Sequence, residues 1–169
     1  FWGILSMAAS KIKLAYLASG GGSSVANLVS MIQDGRLEGF ASRVVLCDKR
    51  EGKAGIYDRR EHLGIPVLYA PTEQRQLKTL KVYQPDLILG LGFVKKVGDR
   101  ILEQYKNRVL NIHPTLLPKH GGKDMYGLAT HMSVLESGDE YTGPTVHIMN
   151  SEFDEGRILR QVTIPVPKH

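Results

Sequence analysis

Cys47 is the only cysteine among the 169 residues. A lone thiol excludes an internal disulfide and any multi-cysteine zinc site, and it fits a reducing compartment. No apolar stretch reaches the ~18 residues that a membrane-spanning helix needs. Lys and Arg outnumber Asp and Glu by 22 to 17, yet they form no run and no stripe interleaved with aromatics. Neither nucleic acid nor a membrane is therefore an expected partner. The net charge of +5 suits small anionic molecules instead. No set of His, Asp and Glu shows the spacing of a metal site, so no metal is expected. With 42% hydrophobic and 23% charged residues, the composition is that of a globular domain with a sizeable core.

Residues 1–10 lack a basic region ahead of their short apolar stretch, which argues against a signal peptide. They read as a tag remnant or an upstream extension, and a single domain is expected over residues 11–169. A cytoplasmic location is the matching expectation.

The spacing predicts strands at 11–18, 44–47, 66–69, 85–90 and a segment ending at Asn111. Between them it predicts helices at 25–33, 54–63, 72–83 and 99–105, the first capped by Ser23 or Ser24 and the third by Thr72. Strands alternating with helices imply right-handed crossovers and a parallel sheet, hence a Rossmann-like α/β fold with helices on both faces. A long loop rich in Gly and Pro follows at 114–127, then a helix at 128–137. Residues 142–149 and 157–166 alternate, with a turn at 150–156. They are expected to add an antiparallel hairpin to the sheet.

Asn111-Ile112-His113-Pro114 carries the sharpest chemistry. Residues two apart in a strand share a face. Asn111 and His113 would therefore project together from the carboxyl edge of the sheet, where open α/β proteins place their sites. The amide can stabilise an oxyanion and the imidazole can move a proton near neutral pH. Pro114 keeps His113 out of α geometry. Taken alone, the pair is equally readable as a strand cap and a turn histidine.

Asp154, in the acidic turn 151–156, is either turn chemistry or a carboxylate that loops back to orient His113 and stabilise its protonated form. Glu152 and Glu155 read as solvated members of that turn. His147 either lines the site or fills the core, and Thr145 is a second candidate for the site wall. His62, His120 and His169 read as surface or loop residues. Between the first strand and first helix, Ser19-Gly20-Gly21-Gly22-Ser23-Ser24 offers backbone N–H groups at a helix amino end. It is neither a Walker A loop nor a dinucleotide fingerprint. A monophosphate site at Gly21, Gly22, Ser23 and Ser24 is preferred over a plain tight turn.

These segments together resemble the phosphoribosylglycinamide (GAR) formyltransferases, the folate-dependent enzymes of purine biosynthesis. The resemblance runs from about residue 11 to residue 166. It rests on Ser19-Gly20-Gly21-Gly22-Ser23, Gly92-Phe93, Asn111-Ile112-His113-Pro114-Thr115-Leu116-Leu117-Pro118, Gly138-Asp139, Thr145-Val146-His147 and Phe153-Asp154-Glu155-Gly156. It implies 10-formyltetrahydrofolate as formyl donor and glycinamide ribonucleotide as acceptor. It also implies Asn111, His113 and Asp154 as the catalytic trio. Gly22, Ser23 and Ser24 fall where the family binds the substrate phosphate, and Val94, Lys95, Lys96 and Val97 where its backbone holds the pterin. Asn111 is expected to touch the folate as well.

The chain departs from the family's usual pattern at Ser24, where Asn is common. It departs again at 94–97, where Lys96 puts a charge in place of an apolar residue. The helix at 72–83 is short, with Arg75 as the counterpart of a tail-binding arginine, and the family's last helix is expected to be missing after His169. Another acceptor, such as an amino-sugar nucleotide, is therefore an alternative, and so is an inactive homologue that binds folate or a phosphometabolite.

Overall fold

Residues 12–18 run apolar without a break after Lys13, as a strand covered on both faces requires. In the computed structural model they form β1 (Ile12–Ala18), buried from Leu14 onward, as an interior strand of a seven-stranded sheet. β1 pairs in parallel with β2 (Phe40–Cys47) and with β4 (Leu87–Gly90). β3 (Val67–Tyr69) closes the β2 edge and β5 (Val109–His113) follows β4, both again parallel. β7 (Thr145–Ile148) and β8 (Ile158–Gln161) then join antiparallel beyond β5. The order β3-β2-β1-β4-β5-β7-β8 makes the chain reverse direction between β1 and β4. In open α/β sheets that crevice is where ligands bind. The structure describes residues 10–167; the expected extension before Ser10, and His169, lie outside it.

One core cluster joins Leu14, Tyr16 and Ala18 of β1 to Val25 and Val29 of α1 (Ser23–Gln33) and Leu63 of α2 (Arg60–Leu63). The other joins Ala15 and Leu17 to Leu80 of α3 (Glu73–Tyr83) and Ile101 of α4 (Asp99–Gln104). Alternate residues of one strand thus supply both faces, as the period of two demands. α3 has the expected cap: the Thr72 hydroxyl accepts from Arg75 N–H at 3.4 Å.

Four local expectations need correction. α1 starts at Ser23, so neither Ser23 nor Ser24 caps it; Gly22 does, at φ 68° and without a side-chain bond. A Cβ on Gly22 would lie 2.0 Å from Ile56 Cδ1, so only glycine makes this entry. The helix expected over 54–63 shrinks to a 3-10 turn at Tyr57–Arg59 and the four residues of α2. Its expected first turn is occupied elsewhere, because Ile56 N–H donates to the Gly20 carbonyl at 3.1 Å and ties the segment to the glycine loop. β5 runs on to His113 rather than ending at Asn111. The C-terminal hairpin breaks at Gly143-Pro144, where Pro144 has no N–H for the ladder. Its outer ends pair separately, as β6 (Tyr141–Thr142) with β9 (Ile164–Pro165).

The loop after β5 leads into α5 (Leu128–Glu136) and is pinned to the sheet by buried polar bonds. The hydroxyl of Thr145, fully buried, donates to the Thr115 carbonyl at 2.8 Å. It accepts from Leu117 N–H at 3.1 Å and from the Gln161 amide at 2.9 Å. Thr145→Val keeps the shape but takes a buried partner from the Thr115 carbonyl and the Leu117 N–H, while exposed Gln161 keeps its bond to the Leu117 carbonyl. Thr145→Val is expected to lower the unfolding free energy by about 1–3 kcal/mol, measured by urea denaturation. An unchanged midpoint and slope would show that the loop is not held this way.

Candidate active site

Cross-strand register decides which side chains meet beyond the carboxyl edge of the sheet. Asn111 of β5 stands opposite His147 of β7, and His113 opposite Thr145. Pairs of this kind lie on one face. The Asn111 amide nitrogen is 3.1 Å from His147 Nε2. With His147 Nδ1–H donating to the Ile148 carbonyl at 3.3 Å, Nε2 is the acceptor of the Asn111 amide. When that ring is protonated, Nε2–H faces Asp154 Oδ1 at 3.5 Å instead.

Asp154 reaches over this face from the turn between β7 and β8. Its backbone is left-handed at φ 57°, a region that Asp tolerates better than most residues. Oδ1 accepts from the Asn111 amide at 3.5 Å, and Oδ2 accepts from Gly122 N–H at 3.1 Å and lies 3.4 Å from His113 Nδ1. Burial pushes this carboxyl up and is the largest single influence on it. The His147 hydrogen bond, the Gly122 N–H and the charges of the two imidazoles outweigh burial, so the carboxyl sits below its ordinary value.

His113 is 3% exposed, and Nε2–H donates to the main-chain carbonyl of His120 at 2.7 Å. Nδ1 is therefore the nitrogen available to a reaction. Its 3.4 Å separation from Asp154 exceeds a charge-assisted contact of about 2.8 Å, so that nitrogen has capacity left for a ligand oxygen. Gly121 allows the loop to come this close, since a Cβ there would lie 3.0 Å from Asp154 Cβ and 2.4 Å from Leu117 Cδ2.

The trio opens on a cleft of about 580 Å³. Val94, Lys95, Lys96 and Val97 form one wall, the stretch after β4, and Asn150, Glu152 and Phe153 face it. Ser19 ties that wall to β1, its hydroxyl accepting from Val94 N–H at 3.2 Å. Lys95 pairs with buried Asp48 at 3.3 Å. Lys96 spans the cleft to Glu152 at 3.4 Å and lies 5.2 Å from the Phe153 ring centroid. Ser24 reaches the cleft from the first turn of α1. No acidic residue sits in the first turn of α1, whose amino-terminal N–H groups have no side-chain cap. Arg59 donates to the Gly21 carbonyl at 2.7 Å and brings a cation beside the loop.

Asn111, His113, His147 and Asp154, expected from sequence, thus come together with Val94, Lys95, Lys96 and Val97. Gly21, Gly22 and Ser23 adjoin the cleft without lining it. Thr145 shares the face of His147, but the 115–117 backbone covers it, so it supports the site from behind. Glu152 is not simply solvated, because it pairs with Lys96 across the cleft. His120, expected at the surface or in a loop, lies in the loop after β5 but is 3% exposed, whereas His62 is exposed. His120, Arg59 and the apolar wall residue Phe153 were missed; only the apolar residue flanking Asp154 carried any local signal. Among the described residues, no three His, Cys, Asp or Glu side chains are grouped to hold a metal ion. No helix among them is long and apolar enough to cross a membrane.

Residues 12–169 match the formyl transferase family. The chain is 38% identical over 164 residues to the chloroplastic phosphoribosylglycinamide formyltransferase of Arabidopsis thaliana, covering 91% of this chain and 55% of that one. It thus spans about half the length of its plant relatives. It is 31% identical to the Bacillus subtilis phosphoribosylglycinamide formyltransferase, covering 93% of this chain and 81% of the relative. The solved glycinamide ribonucleotide transformylase 1 of Symbiobacterium toebii superposes with a TM-score of 0.81 at 28% identity, over 94% of this chain and 75% of that one.

The depressed Asp154 carboxyl has a consequence for acid stability. A carboxyl whose folded value lies below its unfolded one stabilises the fold above the unfolded value, near 3.8. That contribution is lost as the pH falls further, through the folded value. Asp154→Asn should lose less stability than the parent between pH 6 and acid pH, measured by urea midpoints. Identical acid losses would show that the carboxyl is not held down in the fold.

Proposed function

The chain belongs to the formyl transferase family, and from that premise we propose that it moves the formyl group of 10-formyltetrahydrofolate to the amine of glycinamide ribonucleotide. The observation that carries this reading is the convergence of Asn111, His113 and Asp154 on one cleft, within 3.5 Å of one another through Asp154. The names of the relatives supply the acceptor.

In this mechanism the acceptor amine attacks the formyl carbon, and the carbonyl oxygen takes up negative charge. The Asn111 amide and the Nδ1–H of protonated His113 stabilise that oxyanion. One proton leaves the attacking nitrogen and one reaches the folate nitrogen as its bond to carbon breaks. His113 and a water held by Asp154 carry that transfer. Val94, Lys95, Lys96 and Val97 provide the folate wall and Asn111 its inner end, while His147 orients the Asn111 amide. The acceptor's phosphate binds Gly21, Gly22, Ser23 and Ser24, where helix N–H groups and Arg59 favour an anion. Residues 11–169 act as one domain, and no metal takes part.

Two experiments test the reading. Steady-state formyl transfer by Asp154→Asn should fall roughly 100-fold or more, by His113→Ala similarly, and by the double variant little further, because the two act as a unit. Asn tolerates the same left-handed backbone, so thermal melts should show a folded protein. Near-normal turnover by folded Asp154→Asn would leave Asp154 as turn chemistry. An amino-sugar nucleotide acceptor, assayed in parallel, should not be formylated; preference for it would replace the acceptor named above. In crystals soaked with phosphate, an anion should lie within hydrogen-bond reach of the N–H groups of residues 22–24. A loop that stays empty at saturating phosphate would remove that assignment.

A further inference from the structure

Three consecutive residues of the loop after β5 hold both reacting side chains. The His120 carbonyl accepts from His113 Nε2–H at 2.7 Å, and Gly122 N–H donates to Asp154 Oδ2 at 3.1 Å. The geometry of the site therefore depends on what fixes this piece of main chain. Glycines at 121 and 122 give it no stiffness of their own. The Thr115 hydroxyl supplies one restraint, donating to the same His120 carbonyl at 3.2 Å.

The stronger restraint is the His120 side chain, 4% exposed. Its Nε2–H donates to Asp139 Oδ2 at 2.7 Å, and its Nδ1 lies 2.9 Å from the Ser133 hydroxyl. Asp139 is anchored in turn by Lys119, so the carboxylate grips residues 119 and 120 together. Lys119 first, and His120 second, hold the Asp139 carboxyl down to about 2. A buried imidazole with both nitrogens partnered ties the loop to α5 and to the connection after it. None of these three side chains lines the cleft.

We propose that His120, with Asp139 and Ser133, is a positioning unit that sets His113 and Asp154 through the main chain of residues 120–122. It fixes the Nε2–H tautomer of His113 and turns Nδ1 toward Asp154 and the cleft. This rests on the formyl-transfer reading only in naming His113 and Asp154 as the groups that act.

The test combines imidazole nitrogen NMR of the whole chain with steady-state kinetics on His120→Ala, Asp139→Asn and Ser133→Ala. In the parent, neutral His113 should show the Nε2–H tautomer. In His120→Ala and Asp139→Asn it should become a mixture of both tautomers. Their kcat should fall about 10-fold or more, with KM for both substrates within about threefold, because misplacement by an ångström is enough for such losses. Ser133→Ala should show the same changes in smaller degree. Thermal melts identify any variant that fails to fold, and the remaining two then decide. A pure Nε2–H tautomer and unchanged kcat in the folded variants would overturn the proposal. If the tautomer shifts but the parent transfers no formyl group, the proposed function fails and the positioning unit stands.

Discussion

A buried carboxylate stays charged only when its surroundings replace the water it has lost. Asp154 is the carboxylate on which this site is built. Its two oxygens lie near Asn111, His113, His147 and Gly122, which belong to β5, β7 and the loop between them. β5 and β7 are already paired backbone to backbone, so what the carboxylate adds is the placing of the loop and of the side chains on that face. Leaving either oxygen unpartnered in that position would cost free energy, which favours the arrangement that partners both. The left-handed backbone at Asp154 is part of the same arrangement: it turns the side chain inward from a turn that would ordinarily present it to solvent.

The same constraint explains the antiparallel strands on an otherwise parallel sheet. A further parallel strand would need a crossover of a dozen residues or more, and no turn would then lie beside the carboxyl edge of β5. An antiparallel hairpin brings its turn back to that edge within a few residues. β7 thereby supplies His147 opposite Asn111, and the turn supplies Asp154 above them. The topological reversal between β1 and β4 supplies the rest, with the glycine loop on one side and the wall of residues 94–97 on the other.

Much of this was legible in the sequence because it depends on short periods. Alternation put Asn111 and His113 on one face, the apolar run marked β1 as buried on both sides, and Thr72 announced α3. What was not legible depends on contacts between distant residues. His120 was legible as a loop histidine but not as a buried one, because its partners are 13 and 19 residues away. Thr145 shares the face of His147, and nothing local indicated that the 115–117 backbone would cover it. The Gly22 cap followed from contact with Ile56, not from the serines beside it. The shortened helix before Gly64 has the same cause, since Ile56 N–H is used by the glycine loop.

Lys95 and Lys96 pose a physical question, since two ammonium groups beside a cleft wall should make it strongly charged. Their ends are directed elsewhere. Lys95 turns to Asp48 under the neighbouring strands and Lys96 to Glu152 at the rim, and the two side chains are 53% and 49% exposed. A lysine placed this way lends its methylene stem to the wall and keeps its charge in solvent or on a partner. The ammonium of Lys96 also rests on the Phe153 ring, so the charge lies on the aromatic face rather than in the space beside it. The cleft wall is therefore apolar in contact and cationic only at its edges.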